Sequence, residues 1–287
     1  MKKAIILGAQ GQLGSDITNF FTSQNIETIT PARADLDIKN LMQVKGFLAQ
    51  HRPDVIINTA AYHNVDLCEE NPKEALNINA TAPAFIARMC NYLKIKFVHF
   101  STDYVFDGEK NSPYNELDKP NPLNVYGQTK YAGENAILAE NQAALILRVS
   151  ALYGVNPCRA KNGLNFIQLM LKLANERPSL NVVGDEFVSP TATADIAKLL
   201  PALIKNELSG IVHLTSEGSC SWHEFASTIF QLTNTKVEVN KVDSSFFPSK
   251  TPRPKYSVLE NASLKNRGIA SLPHWKDALQ NYLKQQN

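Results

Sequence analysis

The sequence predicts a doubly wound α/β fold built on a mostly parallel sheet. Three observations lead to this prediction. Short apolar runs alternate with helical patterns over most of the first 200 residues, a glycine-rich turn follows the first run directly, and a later run ends abruptly in hydroxyl side chains. In open parallel sheets ligands bind beyond the carboxyl ends of the strands, so functional residues are expected at that edge.

The chain is long enough to bury a full core. Its 287 residues are 44% hydrophobic, which allows one large α/β unit or two closely joined domains. Lys and Arg number 29 against 27 Asp and Glu, which leaves a formal net charge of +2. This balance gives no general attraction to nucleic acid or to an anionic membrane surface, so neither is expected as a partner.

The cysteines predict neither a disulfide framework nor a metal site. Cys68, Cys90, Cys158 and Cys220 are scattered, with no C-x-x-C pair and no matching histidine spacing. Reduced thiols are expected, and no metal ligands are predicted. The apolar run before Gly8 is too short for a signal peptide, and no run reaches the ~20 residues that span a bilayer, so a cytoplasmic location is expected.

The glycine-rich turn is the first candidate ligand site. Residues 4–7 form an unbroken apolar strand, and glycines three apart follow at once, before a helical stretch over residues 15–23. Such a turn brings backbone N–H groups against a pyrophosphate at a helix N-terminus. Residues expected to contact a dinucleotide here are Gly8, Gln10, Gly11, Gln12, Leu13 and Gly14.

The end of the second predicted strand bears on the choice of cofactor. Thr30 stands where an NAD enzyme usually places an acidic residue for the ribose hydroxyls. Arg33 could meet a 2′-phosphate, which favours NADPH, while Asp35 keeps NADH possible. An alternative reading is that Asp35 or Asp37 caps the helix that starts near Lys39.

The central candidate site combines a strand end with the start of a helix. The apolar run 96–100 ends in Ser101-Thr102-Asp103, which makes Thr102 a candidate hydrogen-bond donor. Tyr126 and Lys130 are four residues apart, so a helix places the phenol and the ammonium on one face. A nearby cation lowers the pKa of a phenol from about 10, and this predicts general acid/base chemistry at Tyr126.

These features together resemble the extended short-chain dehydrogenase/reductases, in which a Ser or Thr, a Tyr and a Lys form the catalytic set. The strings Ser-Thr-Asp-Tyr-Val-Phe-Asp-Gly at 101–108 and Pro-Leu-Asn-Val-Tyr-Gly at 122–127 look like the dTDP-4-dehydrorhamnose reductase branch. The resemblance implies an NAD(P)-binding Rossmann domain over residues 1–155. A smaller substrate lobe would follow over 156–287, with residues of about 185–215 returning to the first domain.

The resemblance also implies roles for individual residues. Thr102, Tyr126 and Lys130 would be catalytic, with Tyr126 and Lys130 also on the cofactor. Further cofactor contacts would be Asp37 and Ile38 along the adenine, Ala60, Ala61 and Tyr62 on the nicotinamide side, and Asn79 behind the cofactor loops. Substrate contacts would be Val65, Asp66, Thr102, Asp103, Ala151 and Arg253.

Two positions in the substrate lobe set expectations about the ligand. Arg253 lies in a proline-flanked segment similar to the family's, and its planar fork suits the pyrophosphate of a nucleotide sugar. Ala151 departs from the pattern, because many relatives carry a Trp there, so the identity of the sugar stays open. The segment 157–164, with Arg159 and Lys161, is expected to shape the pocket or close over it.

The activity that the resemblance implies is reduction of dTDP-4-dehydro-β-L-rhamnose to dTDP-L-rhamnose with NADPH or NADH, by a monomer or homodimer. Two alternatives stay open. Related extended enzymes epimerise or dehydrate nucleotide sugars with a retained cofactor. The regulatory subunit of methionine adenosyltransferase resembles these reductases but serves as a binding partner.

Overall fold

The structure is a computed structural model that describes residues 1–157, 163–247 and 249–286. Cys158 and the expected pocket residues Arg159 and Lys161 lie outside the described residues.

Strands and helices alternate along the chain. The strands are β1 (Lys3–Leu7), β2 (Glu27–Ile29), β3 (Val55–Asn58), β4 (Lys96–Thr102), β5 (Leu145–Val149), β6 (Leu152–Tyr153), β7 (Ser179–Val183), β8 (Phe187–Val188), β9 (Thr191–Ala192), β10 (Gly210–His213), β11 (Ser216–Glu217), β12 (Cys220–Ser221), β13 (Glu238–Val242) and β14 (Leu272–His274). The α-helices are α1 (Gln12–Ser23), α2 (Leu41–His51), α3 (Val65–Glu70), α4 (Pro72–Leu76), α5 (Ala82–Leu93), α6 (Val125–Glu140), α7 (Phe166–Glu176), α8 (Thr193–Lys205), α9 (Trp222–Thr233), α10 (Ala262–Asn266) and α11 (Trp275–Lys284).

The central sheet confirms the predicted fold class. Six strands lie in the order β10-β5-β4-β3-β1-β2, and every neighbouring pair is parallel. Side chains alternate across the sheet, so Ile6 packs with Ile17 of α1 and Ile196 of α8 on one face. Ile5 packs on the other face, in a cluster that includes Ile86 of α5. Helices on both faces leave the carboxyl edge of the sheet for ligands.

A second hydrophobic cluster lies apart from the clusters on the two faces of the central sheet. Tyr153, Ile167, Phe225 and Trp275 are buried in it, and they come from β6, α7, α9 and α11. The parallel pair β7 and β13 packs against this cluster. Between these segments the chain returns to the central sheet. Helix α8 packs on the face of this sheet that α1 also covers, and β10 pairs with β5.

The expected capping role of Asp35 or Asp37 is wrong. Helix α2 begins at Leu41, and the side chain of Asn40 caps it by accepting a hydrogen bond from the backbone N–H of Gln43. Because the helix starts later than expected, the two aspartates lie in the preceding turn. Asp35 accepts from the backbone N–H of Ala32, and Asp37 accepts from that of Lys39.

Candidate active site

The glycine-rich turn packs tightly against the loop that follows β3. Gly8 has φ of +79°, and a Cβ there would lie 2.8 Å from the Ala60 nitrogen. A Cβ on Gly14 would overlap the carbonyl oxygen of Gly8. Helix α1 begins at Gln12, and no side chain of the described residues caps its start at Gly11. The first-turn N–H groups therefore fit a pyrophosphate of a dinucleotide.

The side chains next to this turn have different surroundings. Gln10 is exposed, whereas Leu13 is buried in the core on the α1 face of the sheet. The amide of Gln12 donates to the carbonyl oxygens of Gly154 and Asn156, at 3.2 and 3.1 Å. The side chain of Gln12 is thus used to hold the segment after β6, and its backbone N–H remains the group that suits a phosphate.

The residues expected along the adenosine half lie beyond the end of β2. Arg33 is exposed there, and Asp37 and Ile38 are partly buried. Since β2 is the edge strand next to β1, these side chains lie on the same edge of the sheet as the glycine-rich turn.

Two buried asparagines hold the loop expected on the nicotinamide side. The Ala60 N–H donates to the side-chain oxygen of Asn58 at 3.1 Å. Asn79 accepts from the N–H of Tyr62 at 2.8 Å and donates to its carbonyl oxygen at 2.9 Å. Asn79 also donates to Thr129 of α6, at 3.1 Å. The loop through Ala61 is therefore fixed against both the sheet and the helix of Tyr126.

Thr102 and Tyr126 come together at the carboxyl end of β4. The Thr102 hydroxyl lies close enough to the phenol of Tyr126 to lower its pKa, and the Tyr126 ring meets the ring of Tyr104 edge-on at 5.8 Å. The Thr102 hydroxyl also donates to Asp103 at 3.0 Å and accepts from the N–H of Tyr104. Two hydroxyl groups therefore converge where a substrate carbonyl would be held.

The prediction that Lys130 lowers the pKa of Tyr126 is wrong. Burial raises the pKa of the Tyr126 phenol, and the nearby Asp103 and Cys68 raise it further, while the Thr102 hydroxyl lowers it. The phenol is therefore protonated at neutral pH. A protonated phenol can give a proton, which is the role that a reduction requires.

Lys130 reaches the interior of the sheet. Its Nζ donates to the carbonyl oxygen of Phe100 at 2.6 Å and lies 3.1 Å from Nε2 of His99. Burial lowers the pKa of Lys130 to about 8, and Glu134 on the same helix opposes this shift. Glu134 itself forms a buried bidentate ion pair with Arg148 of β5, at 2.7 and 2.9 Å.

Asp103 joins three parts of the chain. Besides the bond from Thr102, its carboxylate accepts from Ser150 at 2.8 Å and from Ser257 at 2.6 Å. Burial raises the pKa of this carboxyl group, and the three hydroxyl donors lower it. The expected substrate contact of Asp103 thus falls on a group already surrounded by protein donors. Ala151, next to Ser150, has φ of +44°.

Three of the residues expected around the sugar nucleotide lie at the start of α3 and in the segment of Arg253. Arg253 lies 3.6 Å from Asp66, so two of the predicted substrate residues are paired. Val65 precedes Asp66 at the start of α3 and is partly buried. The segment of Arg253 is fixed to the start of α6, because the amide of Asn124 donates to the Pro252 carbonyl oxygen at 2.9 Å.

Sequence reasoning missed three residues of this site. Asn58 and His99 are buried and lie between the loop after β3 and Lys130. Glu186 lies beside Arg253, and burial raises its pKa while that arginine lowers it. The available signal was a polar residue inside an apolar strand, as in Val-Ile-Ile-Asn58 and Phe-Val-His99. A histidine inside an apolar strand, such as His99, can equally have only a structural role in the core.

Neither a metal site nor a membrane helix is found in the part of the chain that the structure describes. Its His, Cys, Asp and Glu side chains form no group of three or more that could hold a metal ion. None of its helices is both long and apolar enough to cross a bilayer.

Known proteins are similar to this chain over its whole length. The family described as RmlD substrate binding domain matches residues 1–287. The spore coat polysaccharide biosynthesis protein SpsK of Bacillus subtilis (strain 168) is 34% identical over 287 residues, covering 100% of this chain and 99% of that protein. The dTDP-4-keto-6-deoxy-D-glucose reductase of Streptomyces niveus is 35% identical over 277 residues, covering 96% of this chain and 94% of that protein.

A solved structure extends this likeness to the fold. The dTDP-4-dehydrorhamnose reductase of Bacillus anthracis str. Ames, solved in complex with NADP, matches with a TM-score of 0.94 and 36% identity. The match covers 99% of both chains.

Proposed function

Because this chain belongs to the RmlD substrate binding domain family, we propose that it is an NAD(P)H-dependent reductase of a dTDP-4-keto-6-deoxy sugar. The observation that carries the proposal is the close pair of the Thr102 hydroxyl and the Tyr126 phenol at the end of β4, where Thr102 lowers the pKa of the phenol. It lies at the same edge of the sheet as the glycine-rich turn, separated from it by β3 alone. The site therefore has a proton donor within reach of a dinucleotide crevice.

The chain offers a complete set of contacts for the cofactor. The backbone of the turn from Gly8 to Gly14 would hold the pyrophosphate, and Arg33 would meet a 2′-phosphate, which favours NADPH over NADH. Asp37 and Ile38 would lie along the adenine. The loop from Ala60 to Tyr62, fixed by Asn58 and Asn79, would face the nicotinamide.

The reaction needs one proton from the protein. When bound, the reduced nicotinamide supplies a hydride equivalent to the C4 carbonyl carbon. Tyr126 gives its phenolic proton to the oxygen that becomes the hydroxyl, and Thr102 would turn its O–H from Asp103 to this oxygen and donate a hydrogen bond to it. The raised pKa of Tyr126 keeps that proton available at neutral pH. Lys130, on the same helix, would bind the nicotinamide ribose.

Residues of α3, the segment of Arg253 and Ala151 would select the sugar nucleotide. Arg253 would bind the pyrophosphate, since its guanidinium offers several donors in a fixed plane. Val65 and Asp66 would face the sugar, and the small Ala151 would leave room near it. We propose dTDP-4-dehydrorhamnose as the substrate, in keeping with the name of the Bacillus anthracis relative. The Streptomyces niveus relative acts on a related 4-keto sugar, so both sugars belong in the test.

The test follows the loss of NADPH or NADH absorbance in the presence of purified protein and dTDP-4-keto-6-deoxy sugars. Net oxidation with dTDP-4-dehydrorhamnose, and slower oxidation with dTDP-4-keto-6-deoxy-D-glucose, is expected. Retained cofactor without net oxidation would instead indicate an epimerase or dehydratase. No oxidation with any sugar, together with stoichiometric capture of a methionine adenosyltransferase, would contradict the enzyme assignment.

We also propose that the enzyme works in the cytoplasm as a monomer or homodimer, without a nucleic acid partner. Both proposed ligands carry several negative charges and cross membranes poorly, so the reaction belongs where they are made. The proposed division into a cofactor domain over residues 1–155 and a substrate lobe over 156–287 has support in the separate core around Phe225. Light scattering of the purified protein would test the oligomeric state.

A further inference from the structure

A chain of hydrogen bonds runs from the loop after β3 to Lys130 through two side chains inside the sheet. The Ala60 N–H donates to Oδ1 of Asn58 at 3.1 Å. Nδ2 of Asn58 lies 3.1 Å from Nδ1 of His99, and Nε2 of His99 lies 3.1 Å from Nζ of Lys130. Asn58 and His99 are 0% exposed and Lys130 is 1% exposed, so water does not compete for these bonds.

Along this series of hydrogen bonds, the direction of each bond determines the direction of the next. A backbone N–H can only donate, so the Asn58 oxygen faces Ala60 and the Asn58 NH2 group donates to His99. Nδ1 of His99 is therefore an acceptor. Burial, with Lys130 nearby, lowers the pKa of His99 well below 6.5, so the ring is neutral and carries one proton. That proton must be on Nε2.

The position of this proton constrains Lys130. The Nε2–H of His99 points at Nζ, so the lysine must offer a lone pair there, while it donates to the carbonyl oxygen of Phe100 at 2.6 Å. A charged ammonium has no lone pair and would place N–H against N–H. To accept from a charged Lys130, His99 would have to move its proton to Nδ1. The Asn58 amide would then turn over and lose its bond to Ala60.

We propose that His99 is a positioning residue that couples the charge of Lys130 to the orientation of the Asn58 amide, and through Ala60 to the cofactor loop. The proposal rests on the reductase function proposed above, because it gives Lys130 and this loop their common ligand. The free protein holds the uncharged lysine and the fixed loop at pH values above the Lys130 pKa of about 8. A charged lysine and a released Ala60 N–H belong to the alternative state, so a ligand of either group biases both.

Other ionisable groups around the helix do not replace this coupling. Glu134 raises the pKa of Lys130, but its carboxylate is engaged by Arg148 of β5. From the elements packed against the start of α6, Asp103 and Cys68 face the phenol of Tyr126 and raise its pKa. Among these groups, His99 alone has a hydrogen-bonding atom directed at Nζ.

The direct test is the tautomer of His99 in the free protein, read from long-range proton–nitrogen correlations of the 15N-labelled chain at about pH 9. At that pH Lys130, with its lowered pKa, and His99 are both expected to be uncharged. The His99 signal is assigned by its loss in His99→Gln, or independently by contacts to the ring of Phe97, which lies 6.2 Å away. The proposal predicts the Nε2–H tautomer. An Nδ1–H tautomer or an imidazolium ring would overturn it.

The variant Asn58→Asp tests the coupling itself. A carboxylate can accept from both the Ala60 N–H and His99, so the ring proton should move to Nδ1 and Nε2 should accept from a charged Lys130. The alkaline limb of kcat/KM, expected near pH 8, should then move upward by about one pH unit. His223→Gln, remote on α9, should leave the limb in place. An unchanged tautomer or an unchanged limb in a folded Asn58→Asp protein would overturn the proposal.

The two kinds of failure are distinguishable. If the protein oxidises no cofactor with any dTDP-4-keto sugar, the proposed function fails, while the tautomer measurement still decides whether His99 couples Lys130 to Asn58. If the protein is an active reductase but His99 carries its proton on Nδ1, the proposed coupling through His99 fails and the proposed function stands.

Discussion

The hydroxyl of Ser257 donates a hydrogen bond of 2.6 Å to the buried carboxylate of Asp103. This bond ties the segment of Arg253, which the proposed division assigns to the substrate lobe, to the strand end that carries Thr102. The Asn124 amide makes a second link, from the same segment to the start of helix α6, which carries Tyr126. The proposed proton donor and the proposed pyrophosphate ligand are therefore held in one framework.

Removing the Ser257 hydroxyl should weaken this framework. Ser257→Ala leaves Asp103 with two of its three hydroxyl donors, and losing a bond to a buried charged group costs about 1–3 kcal/mol. Urea unfolding should report a decrease in the free energy of unfolding of that size. Ser23→Ala, which removes a local bond at an exposed position, should change it little. Equal unfolding midpoints for the two variants would contradict the role given to Ser257.

Lys130 should make stability depend on pH in the alkaline range. Its pKa falls from 10.5 to about 8 on folding, so between these values the unfolded chain holds a proton that the folded chain has released. Stability contributed in this way rises with pH across the window and amounts to about 3 kcal/mol. Lys130→Met has no such proton, so the wild-type protein should gain stability relative to the variant from about pH 8 upward. A difference that does not change with pH would contradict the shifted pKa.

Two glycine substitutions should have opposite effects. A Cβ on Gly14 meets the Gly8 carbonyl and lies 2.7 Å from the Ala9 Cα, both of which are backbone. Gly14→Ala should therefore cost about 1–3 kcal/mol and weaken cofactor binding. Gly46→Ala, in exposed helix α2 with no atom within 4 Å of the new Cβ, should add about 1 kcal/mol. Thermal unfolding and cofactor titration of the pair provide the measurement, and similar behaviour of both variants would refute the packing argument.

Arg253 should act on substrate binding more than on the chemical step. In Arg253→Gln the charge-assisted bonds to a pyrophosphate are lost, so KM for the dTDP-sugar should rise about tenfold or more with a smaller change in kcat. Lys255→Gln is the matched control. This exposed lysine lies two residues after Arg253 and pairs with Asp185. If KM were unchanged in Arg253→Gln, the pyrophosphate would be bound elsewhere.

The sequence predicted those parts of the site that follow from local pattern. The turn from Gly8 to Gly14 and the strand end at Thr102 have short-range signals, and both lie at the predicted edge of the sheet. The helix face shared by Tyr126 and Lys130 was also readable from their spacing. The spacing could not reveal which groups the end of a long side chain contacts. Lys130 extends toward β4, and its contacts with His99 and Phe100 depend on how closely α6 packs on the sheet.

Long-range polar contacts were the other part that the sequence could not give. Nothing in the pattern around Asn58 shows that its amide meets a histidine on the next strand, because parallel pairing brings them together only after folding. The same holds for Ser257, which is remote in sequence from Asp103. The shift in the pKa of Tyr126 was mispredicted for a related reason. Burial was not visible from the spacing, and it dominates the effect of nearby charge.

The central claim is that the Tyr126 phenol gives the proton. Tyr126→Phe keeps the ring against Tyr104 and removes only the hydroxyl, so cofactor affinity measured by fluorescence titration should be nearly unchanged. Turnover with dTDP-4-dehydrorhamnose should fall by about 10²- to 10⁴-fold, as for loss of a general acid. Tyr131→Phe, on the same helix, should keep wild-type turnover. Wild-type turnover in Tyr126→Phe would contradict the account.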